Sequence, residues 1–250
     1  MFVAASTHCF PNVPFTKSLQ KLSELEFRSA EVVVGYGQSD LKPEWLSQDL
    51  REVARMCSIQ RQITPFAVFM DVPVDDPQYY AIFEQCVRLC QLLKAVTLVV
   101  KSPPVGFPYN EEFERLHRLT RFGLSSGVVV SILTEKEAIS GSIDSLTSLC
   151  KGTPELTVAL DPSHFIYGYK KPINYEPIIP KVSHVRLRDT TEKDFQVQIG
   201  QGALEFSKLV SQLSKVGYRG ALCVDLATLP NFDPESELRK MRLLVESNLF

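Results

Sequence analysis

Eight short runs of apolar and β-branched residues recur about every 30 residues, and this spacing constrains the fold more than any other feature. Each interval leaves room for one helix and its loops. Several runs consist almost entirely of Val, Ile, Leu and Ala, which is typical of parallel strands covered on both faces. The predicted strands are Phe2–Ser6, Ser29–Val34, Thr64–Met70, Ala95–Val100, Gly127–Leu133, Leu156–Leu160, Val182–Leu187 and Gly220–Asp225.

The segments between these runs have helical periodicity. After the second run, for example, apolar residues fall at i, i+4, i+7, i+8 and i+11, namely Leu46, Leu50, Val53, Ala54 and Cys57. This pattern predicts one helix there, and the alternation as a whole predicts eight strand–helix units. Since no linker or low-complexity stretch interrupts the series, we expect a single α/β domain over residues 1–250.

Two architectures fit such an alternation, a closed (β/α)8 TIM barrel and a doubly wound open sheet. The open sheet usually carries a glycine-rich phosphate loop after its first strand. Here the first strand runs into THCFPNVPF, which contains neither G-x-G-x-x-G nor G-K-[ST]. A length of 250 residues is also typical of one barrel. The sequence therefore favours the single (β/α)8 barrel.

Composition excludes several classes of partner. The formal net charge of −2 gives no long-range attraction to nucleic acid or to an acidic membrane surface. No apolar run approaches the roughly 18 residues of a membrane span, and MFVAASTHCF lacks the pattern of a signal peptide. The six cysteines are scattered without a C-x-x-C, so we expect buried free thiols, including Cys86 and Cys90. These features predict a cytoplasmic protein without nucleic-acid or membrane partners.

Charged and titratable residues stand at or near the carboxyl end of nearly every predicted strand. In a barrel these ends surround the active site, so the set predicts a polar pocket above an apolar interior. The residues are His8, Glu31, Asp71, Lys101, Glu135, Asp161, His164, His184, Arg186, Arg188 and Asp225.

The seventh strand carries three polar residues of one parity. In VSHVRLRD, His184, Arg186 and Arg188 alternate with Val185 and Leu187, so all three face the same side. Helices cover the outside of a barrel, where an unpaired arginine would be costly, so the polar side is predicted to face the axis. Arg186 then needs an anion. Judged by their height along the barrel axis, the nearest candidates are Glu135, Asp161 and Asp225.

These motifs resemble those of the xylose isomerase-like barrels, a superfamily of sugar isomerases, ketose 3-epimerases, dehydratases and apurinic endonucleases. The resemblance covers essentially the whole chain. LDPSHF resembles the D-x-G-H element, with Asp161 and His164 in place and Ser163 at the usual glycine. SHVRLRDT is similar to the H-V-H-L-K-D element of the seventh strand, and IGQGALEF through GYRGALCVD to the closing motif.

The resemblance implies a divalent metal held by Glu, Asp, His and Glu from strands five to eight, which orients a sugar while carboxylates move a proton. Asp161 matches the strand-six ligand, Glu135 is the best match for strand five, and Asp225 stands one methylene short of the strand-eight Glu. The histidine ligand of strand seven is replaced by Arg186, which has no lone pair to donate. Lys101 adds a second cation where relatives often have histidine.

Three arrangements remain open at this point. His184 could supply the missing ligand, although it lies two residues deeper; a weakly held Mn, Mg, Co or Zn ion could bind Glu135, Asp161 and Asp225 with Arg186 folded aside; or no metal binds and Arg186 pairs with the carboxylates. The last arrangement predicts a site with no cofactor, in which a salt-bridge cluster replaces the metal or grips an anionic substrate.

The resemblance therefore implies a sugar or sugar-phosphate isomerase or epimerase with an altered, Arg-substituted metal site. Glu135, Asp161 and Asp225 are the predicted catalytic residues, and His164, Arg186, Lys101 and His184 the predicted substrate-binding residues. A non-catalytic binding protein on the same fold and a polyol or keto-acid dehydratase using Lys101 remain alternatives. The endonucleases need a histidine-rich three-zinc cluster, which four histidines do not favour. We expect a small carbohydrate or sugar-acid ligand, and leave open a homo-oligomer.

Overall fold

The computed structural model describes residues 1–38 and 40–249, and it is a closed (β/α)8 TIM barrel, as the sequence predicts. The strands are β1 (Phe2–Ser6), β2 (Ser29–Gly35), β3 (Thr64–Asp71), β4 (Thr97–Val100), β5 (Val129–Leu133), β6 (Thr157–Leu160), β7 (Val182–Leu187) and β8 (Ala221–Val224). All neighbours pair in parallel in chain order, and β8 pairs with β1 to close the barrel.

The predicted strands differ from the observed ones mainly at their starts. β4 and β5 each begin two residues later than expected. In both cases the preceding helix uses those residues to end. Ala95 donates its N–H to the carbonyl of Cys90, after Lys94 has taken a left-handed conformation at φ 57°. Gly127 takes φ 72° after the next helix, a conformation that favours glycine.

The helices are α1 (Phe15–Glu24), α2 (Pro43–Gln48), α3 (Leu50–Cys57), α4 (Tyr79–Leu93), α5 (Tyr109–Ser125), α6 (Ile143–Gly152), α7 (Phe206–Lys215) and α8 (Pro234–Ser247). The single helix predicted over Leu46–Cys57 is wrong, because Asp49 breaks it into α2 and α3. Its backbone leaves helical geometry at φ −151°, and its side chain caps α3 by accepting the N–H of Glu52.

The connection between β6 and β7 also departs from the expected strand–helix unit. The described residues there form two 3₁₀ turns, Pro162–Phe165 and Glu176–Lys181, and no α-helix. Four prolines in this stretch remove backbone donors and prevent a continuous helix. Among the described residues, moreover, no helix combines the length and the apolar character needed to cross a membrane.

Two apolar layers hold the barrel together. The larger lies between the strands and the helices, and all six cysteines are buried and unpaired, as predicted. The smaller fills the inside of the barrel and consists of Val33, Phe69, Val99, Leu133 and Ala159. The polar residues of the mouth lie next to this inner layer, towards the carboxyl ends of the strands.

The outer layer gives the first prediction. Leu98 on β4 is fully buried, so Leu98→Ala should remove its packing and leave a cavity, which costs about 2–5 kcal/mol of unfolding free energy. Leu124→Ala, at a leucine of α5 that is 62% exposed, is the matched control and should change stability by less than about 0.5 kcal/mol. Urea denaturation measures both. Equal effects of the two substitutions would contradict the assigned packing.

Candidate functional site

Four strands place a charged residue at the mouth of the barrel by one rule. Because alternate residues of a strand face the same side, the residue two positions after an inner-layer residue also faces the barrel interior, one layer higher. The inner-layer residues Phe69, Val99, Leu133 and Ala159 are followed in this way by Asp71, Lys101, Glu135 and Asp161. The sequence pattern of apolar strands with charged ends is therefore the cause of the polar mouth.

The seventh strand faces the interior with its polar side, as predicted from its alternation. The guanidinium carbon of Arg186 lies 4.4 Å from the ring centre of Phe69 in the inner layer. His184, one layer deeper, stacks on Phe66 with ring centres 5.5 Å apart. Arg186 is only 3% exposed, so its charge depends on ion pairs within the protein.

Arg186 is paired with carboxylates from two other strands. Its Nη2 lies 3.1 Å from Glu31 Oε1 on β2 and 3.2 Å from Asp225 Oδ2 after β8. His184 Nε2 lies 2.8 Å from the other oxygen of Glu31. The expectation that Asp225 would be a partner is met, whereas Glu31, predicted to belong to the polar pocket but not to pair with Arg186, is the second partner.

Arg188 explains why Asp161 does not pair with Arg186. Its Nη2 lies 2.6 Å from Asp225 Oδ2 and 3.0 Å from Asp161 Oδ2, so it takes both carboxylates at once. Asp161 is further held by Ser163, whose backbone N–H and hydroxyl both donate to Oδ1. The serine that replaces the usual glycine thus fixes this carboxylate. Glu135 was the third predicted partner of Arg186, but its ion pair is with Lys101 instead.

Glu135 and Asp71 instead share Lys101. The Nζ of Lys101 lies 3.1 Å from Asp71 Oδ1 and 3.8 Å from Glu135 Oε1. Burial lowers the pKa of Lys101, but the two carboxylates outweigh it and raise the pKa above its ordinary value, so Lys101 stays charged. Burial raises the pKa of Glu135 and Lys101 offsets this only partly, so Glu135 is the more basic carboxylate.

His164 faces the mouth as a neutral hydrogen-bond donor. Burial lowers its pKa, and its Nδ1 accepts the backbone N–H of Lys136 at 3.1 Å. The proton of the neutral ring is therefore on Nε2, which lies 3.9 Å from Asp161 Oδ2. The ring packs against Phe195, with centres 4.7 Å apart.

A third group of ion pairs joins His8, Asp40 and Asp71, and the sequence did not predict that these three residues lie together. His8 Nε2 lies 3.3 Å from Asp40 Oδ1 and 3.7 Å from Asp71 Oδ2. His8 and Asp71 stand at strand ends, but Asp40 lies in the loop between β2 and α2, where no strand rule applies. The one signal in the sequence is the pair of glycines in GYGQSD, since a Cβ on Gly35 or Gly37 would lie 2.8 or 2.7 Å from the Asp40 carboxylate.

Electrostatics divide the predicted carboxylates into two kinds. Burial opposes ionisation of Asp225, yet Arg186, Arg188 and His8 outweigh it and hold its pKa well below the ordinary range. Burial also opposes ionisation of Glu31, where Arg186 and His184 again lower the pKa. Both groups are fixed anions at neutral pH. Glu135, whose pKa is raised, is the predicted residue best suited to accept a proton.

The metal implied by the resemblance does not fit strands five to eight of this structure. Asp161 Oδ2 and Asp225 Oδ2 both pair with Arg188. By the resemblance, Arg186 occupies the strand-seven position of the nitrogen donor, and a guanidinium has no lone pair for a metal. In the part of the chain described, two groups of three candidate ligand atoms lie within 4.8 Å of one another: Glu31, His184 and Cys223, and His8, Asp40 and Asp71. Glu135, Asp161 and Asp225 form no such group.

Comparisons with known proteins agree with this architecture. Residues 19–244 match the family model for the xylose isomerase-like TIM barrel, and the chain therefore belongs to this family. No curated protein sequence matches the chain significantly.

Solved structures show the same fold at low sequence identity. One is a xylose isomerase domain protein from Alicyclobacillus acidocaldarius (TM-score 0.77, 16% identity, covering 100% of this chain and 98% of that one). A xylose isomerase-like TIM barrel protein from Mycobacterium smegmatis, in complex with magnesium, has a TM-score of 0.78 at 13% identity, with 99% and 97% covered. D-psicose 3-epimerase with D-tagatose from Clostridium cellulolyticum H10 has a TM-score of 0.77 at 12% identity, with 100% and 99% covered.

The ion pairs of Arg186 give the second prediction. Arg186→Met keeps much of the side-chain volume but leaves Glu31 and Asp225 without their shared cation, which should cost about 3–5 kcal/mol at pH 7. The exposed Arg219, changed to Met, is the control and should cost less than about 0.5 kcal/mol.

The loss of unfolding free energy caused by Arg186→Met should also depend on pH. In the folded protein the pKa values of Glu31 and Asp225 are lowered, so their stabilisation is present above about pH 4 and is lost as pH falls below the unfolded value. The difference in unfolding free energy between the protein and Arg186→Met should therefore narrow as pH is lowered from about 5 to about 2. Urea titrations across this range measure it, and a constant difference would show that the lost interaction is not ionic.

Proposed function

We propose that the protein is a sugar isomerase or epimerase that moves a proton on a small carbohydrate or sugar acid, with guanidinium groups in place of the usual metal. The observation that carries the proposal is the pairing of Glu135 with Lys101 at the mouth. A carboxylate with a raised pKa lies 3.8 Å from an ammonium that stays charged. A base beside a fixed cation is what removal of a proton next to a carbonyl requires.

In the proposed step, Glu135 takes a proton from the carbon next to the substrate carbonyl. The electron pair moves onto the carbonyl oxygen, and the Lys101 ammonium stabilises the resulting negative charge. Return of the proton to the former carbonyl carbon, while the proton of the adjacent hydroxyl passes to the other oxygen, gives an isomer. Protonation of the original carbon on its opposite face by water, while Glu135 gives its proton back to solvent, gives an epimer. His164 would donate its Nε2–H to a substrate hydroxyl, since this nitrogen carries the proton.

The other predicted site residues take supporting roles in this proposal. Asp161 and Asp225 hold Arg188, and Asp225 also holds Arg186, so the two carboxylates act through the guanidiniums. The arginines provide a positive region for a carboxylate or for several hydroxyls of the substrate. His184 lies deeper, against Glu31, and we assign it to positioning Glu31.

Lys101 is a poor base, because its carboxylate neighbours keep it protonated; the lyase alternative that uses Lys101 as base therefore has less support. The alternative of a non-catalytic binding protein is favoured by one observation: two carboxylates of the mouth, Asp161 and Asp225, are already occupied by Arg188. The two functions differ in whether carbon-bound hydrogen exchanges with water.

The test of the proposal is solvent exchange. The protein in D₂O, with a panel of ketoses, aldoses and sugar acids, should incorporate deuterium at the carbon next to the carbonyl of its substrate, as followed by NMR. Glu135→Gln should slow this exchange by about 10²- to 10⁴-fold, the usual contribution of a general base. Glu137→Gln, at an exposed glutamate two residues further along the same loop, should leave the rate unchanged.

The same experiment separates the alternatives. A ligand that raises the melting temperature without any exchange would support the binding protein and contradict the isomerase. Exchange accompanied by loss of water from the substrate would identify a dehydratase. Equal rates for Glu135→Gln and Glu137→Gln would show that another group is the base.

A further inference from the structure

The three residues His8, Asp40 and Asp71 form what we name the His8 cluster. One ligand-type atom from each lies within 4.8 Å of the other two. His8 Nε2 is 3.3 Å from Asp40 Oδ1 and 3.7 Å from Asp71 Oδ2. In a tetrahedral zinc site, ligand bonds of about 2.0–2.2 Å place neighbouring ligand atoms about 3.4 Å apart. The two distances from His8 Nε2 to the carboxylate oxygens are thus close to the separation of atoms that share one cation.

Asp40 provides a second, independent observation. Its side chain is only 2% exposed, and no donor among the described residues meets its Oδ1 in good hydrogen-bonding geometry; the nearest ion-pair partner is His8 Nε2, at 3.3 Å. A buried carboxylate oxygen of this kind is costly unless a protonated His8 or a bound cation meets it. The other oxygen, Oδ2, is held by the backbone N–H of Gly37 at 2.9 Å, so the carboxylate is fixed with its free oxygen turned towards His8.

The other two members of the cluster leave an open side. His8 and Asp71 are 27% and 29% exposed, so an ion and a water molecule can reach them from the mouth. Lys101 contacts Asp71 through Oδ1, which leaves Oδ2 free towards the cluster. The His8 ring is oriented by an edge contact with Phe69, whose ring centre lies 6.0 Å away.

The charge of the mouth also favours a cation here. The ion pairs of the interior and mouth contain six carboxylates and three lysine or arginine cations, so the set carries −3 before any histidine is protonated. The carboxylates are Glu31, Asp40, Asp71, Glu135, Asp161 and Asp225, and the cations are Lys101, Arg186 and Arg188. The two arginines compensate the carboxylate charge on the side formed by β6 to β8. The His8 cluster, in contrast, has two carboxylates and shares the single charge of Lys101 with Glu135.

We propose that the His8 cluster binds a divalent transition-metal cation through His8 Nε2, Asp40 Oδ1 and Asp71 Oδ2, with a fourth position open to solvent. One nitrogen and two oxygen donors suit Zn²⁺ or Co²⁺. The site lies at β1, the β2–α2 loop and β3, across the mouth from the strands that the resemblance assigns to a metal. It is independent of the proposed function, since the solvent-exchange test neither requires nor excludes it.

The other group of candidate ligands does not compete. Glu31, His184 and Cys223 are all at most 1% exposed, which leaves an ion no route from solvent. Arg186 also occupies one oxygen of Glu31. The fixed positive charge of Arg186 beside this group opposes a second cation.

Metal titration of the whole chain tests the site. After removal of metals with a chelator, calorimetric titration with Zn²⁺ should give one ion per chain. Co²⁺ should give the strong visible absorption of a four-coordinate site. Removing a residue that only contacts a metal ligand weakens metal binding by about 10- to 100-fold. Asp40→Asn and His8→Gln each remove a ligand, so each should weaken Zn²⁺ binding by more than this. Asp75→Asn, at an exposed aspartate close to Asp71 in the sequence, is the matched control and should bind normally.

Several results would overturn the proposal. These are no saturable Zn²⁺ binding, binding that survives both Asp40→Asn and His8→Gln, and binding that Glu135→Gln abolishes while Asp40→Asn leaves it intact. Thermal melting without metal shows which variants are folded. Should Asp40→Asn fail to fold, His8→Gln decides the question, because His8 is partly exposed and its replacement leaves the loop with Asp40 and Gly37 in place.

Discussion

The Arg186 guanidinium lies inside the barrel between Glu31 and Asp225, and the organisation of the mouth depends on this pairing. A buried arginine cannot lose its proton, so the surrounding strands must supply anions. Glu31 from β2 and Asp225 after β8 do so, and they link β2 and the end of β8 to β7. Without Arg186, the buried carboxylate of Glu31 would lose its guanidinium partner, and Asp225 would keep only Arg188.

This pairing leads to a mouth with two different sides. Around β6 to β8, two guanidiniums meet carboxylates whose oxygens they already occupy, and the pKa of Asp225 is held low. Around β1 to β5, a single ammonium from Lys101 is shared between Asp71 and Glu135, and the pKa of Glu135 is raised. The first side is suited to electrostatic stabilisation and the second to proton transfer and cation binding. A tuned base beside fixed charges is a common arrangement in active sites.

The sequence predicts the parts of this arrangement that follow from periodicity. Strand parity places Asp71, Lys101, Glu135 and Asp161 inside the mouth, and the alternation in VSHVRLRD turns Arg186 to the interior. Choice of partner is not a periodic property. Arg186 pairs with Glu31, and not with Asp161 or Glu135, because Arg188 takes Asp161 and Lys101 lies nearest Glu135.

Features that depend on the path of a loop or on a single side chain could not be predicted from the sequence either. Asp40 reaches the site from a loop whose path the strand rule does not describe, and Asp49 ends a helix that the apolar periodicity continues. The prolines between β6 and β7 replace an expected helix with 3₁₀ turns. In each case a local hydrogen bond or a missing donor overrides the pattern of apolar residues.

Arg186 and Glu31 stabilise the fold through their mutual charge. A double-mutant cycle with Arg186→Met and Glu31→Gln tests it most directly, by measuring the unfolding free energies of both single variants and of the combination at pH 7. The combined loss should be smaller than the sum of the single losses by about 0.5–3 kcal/mol, since the second substitution removes the charge that the first leaves unpaired. Losses that add to within about 0.3–0.5 kcal/mol would show that the two side chains act independently and that their charges do not stabilise each other.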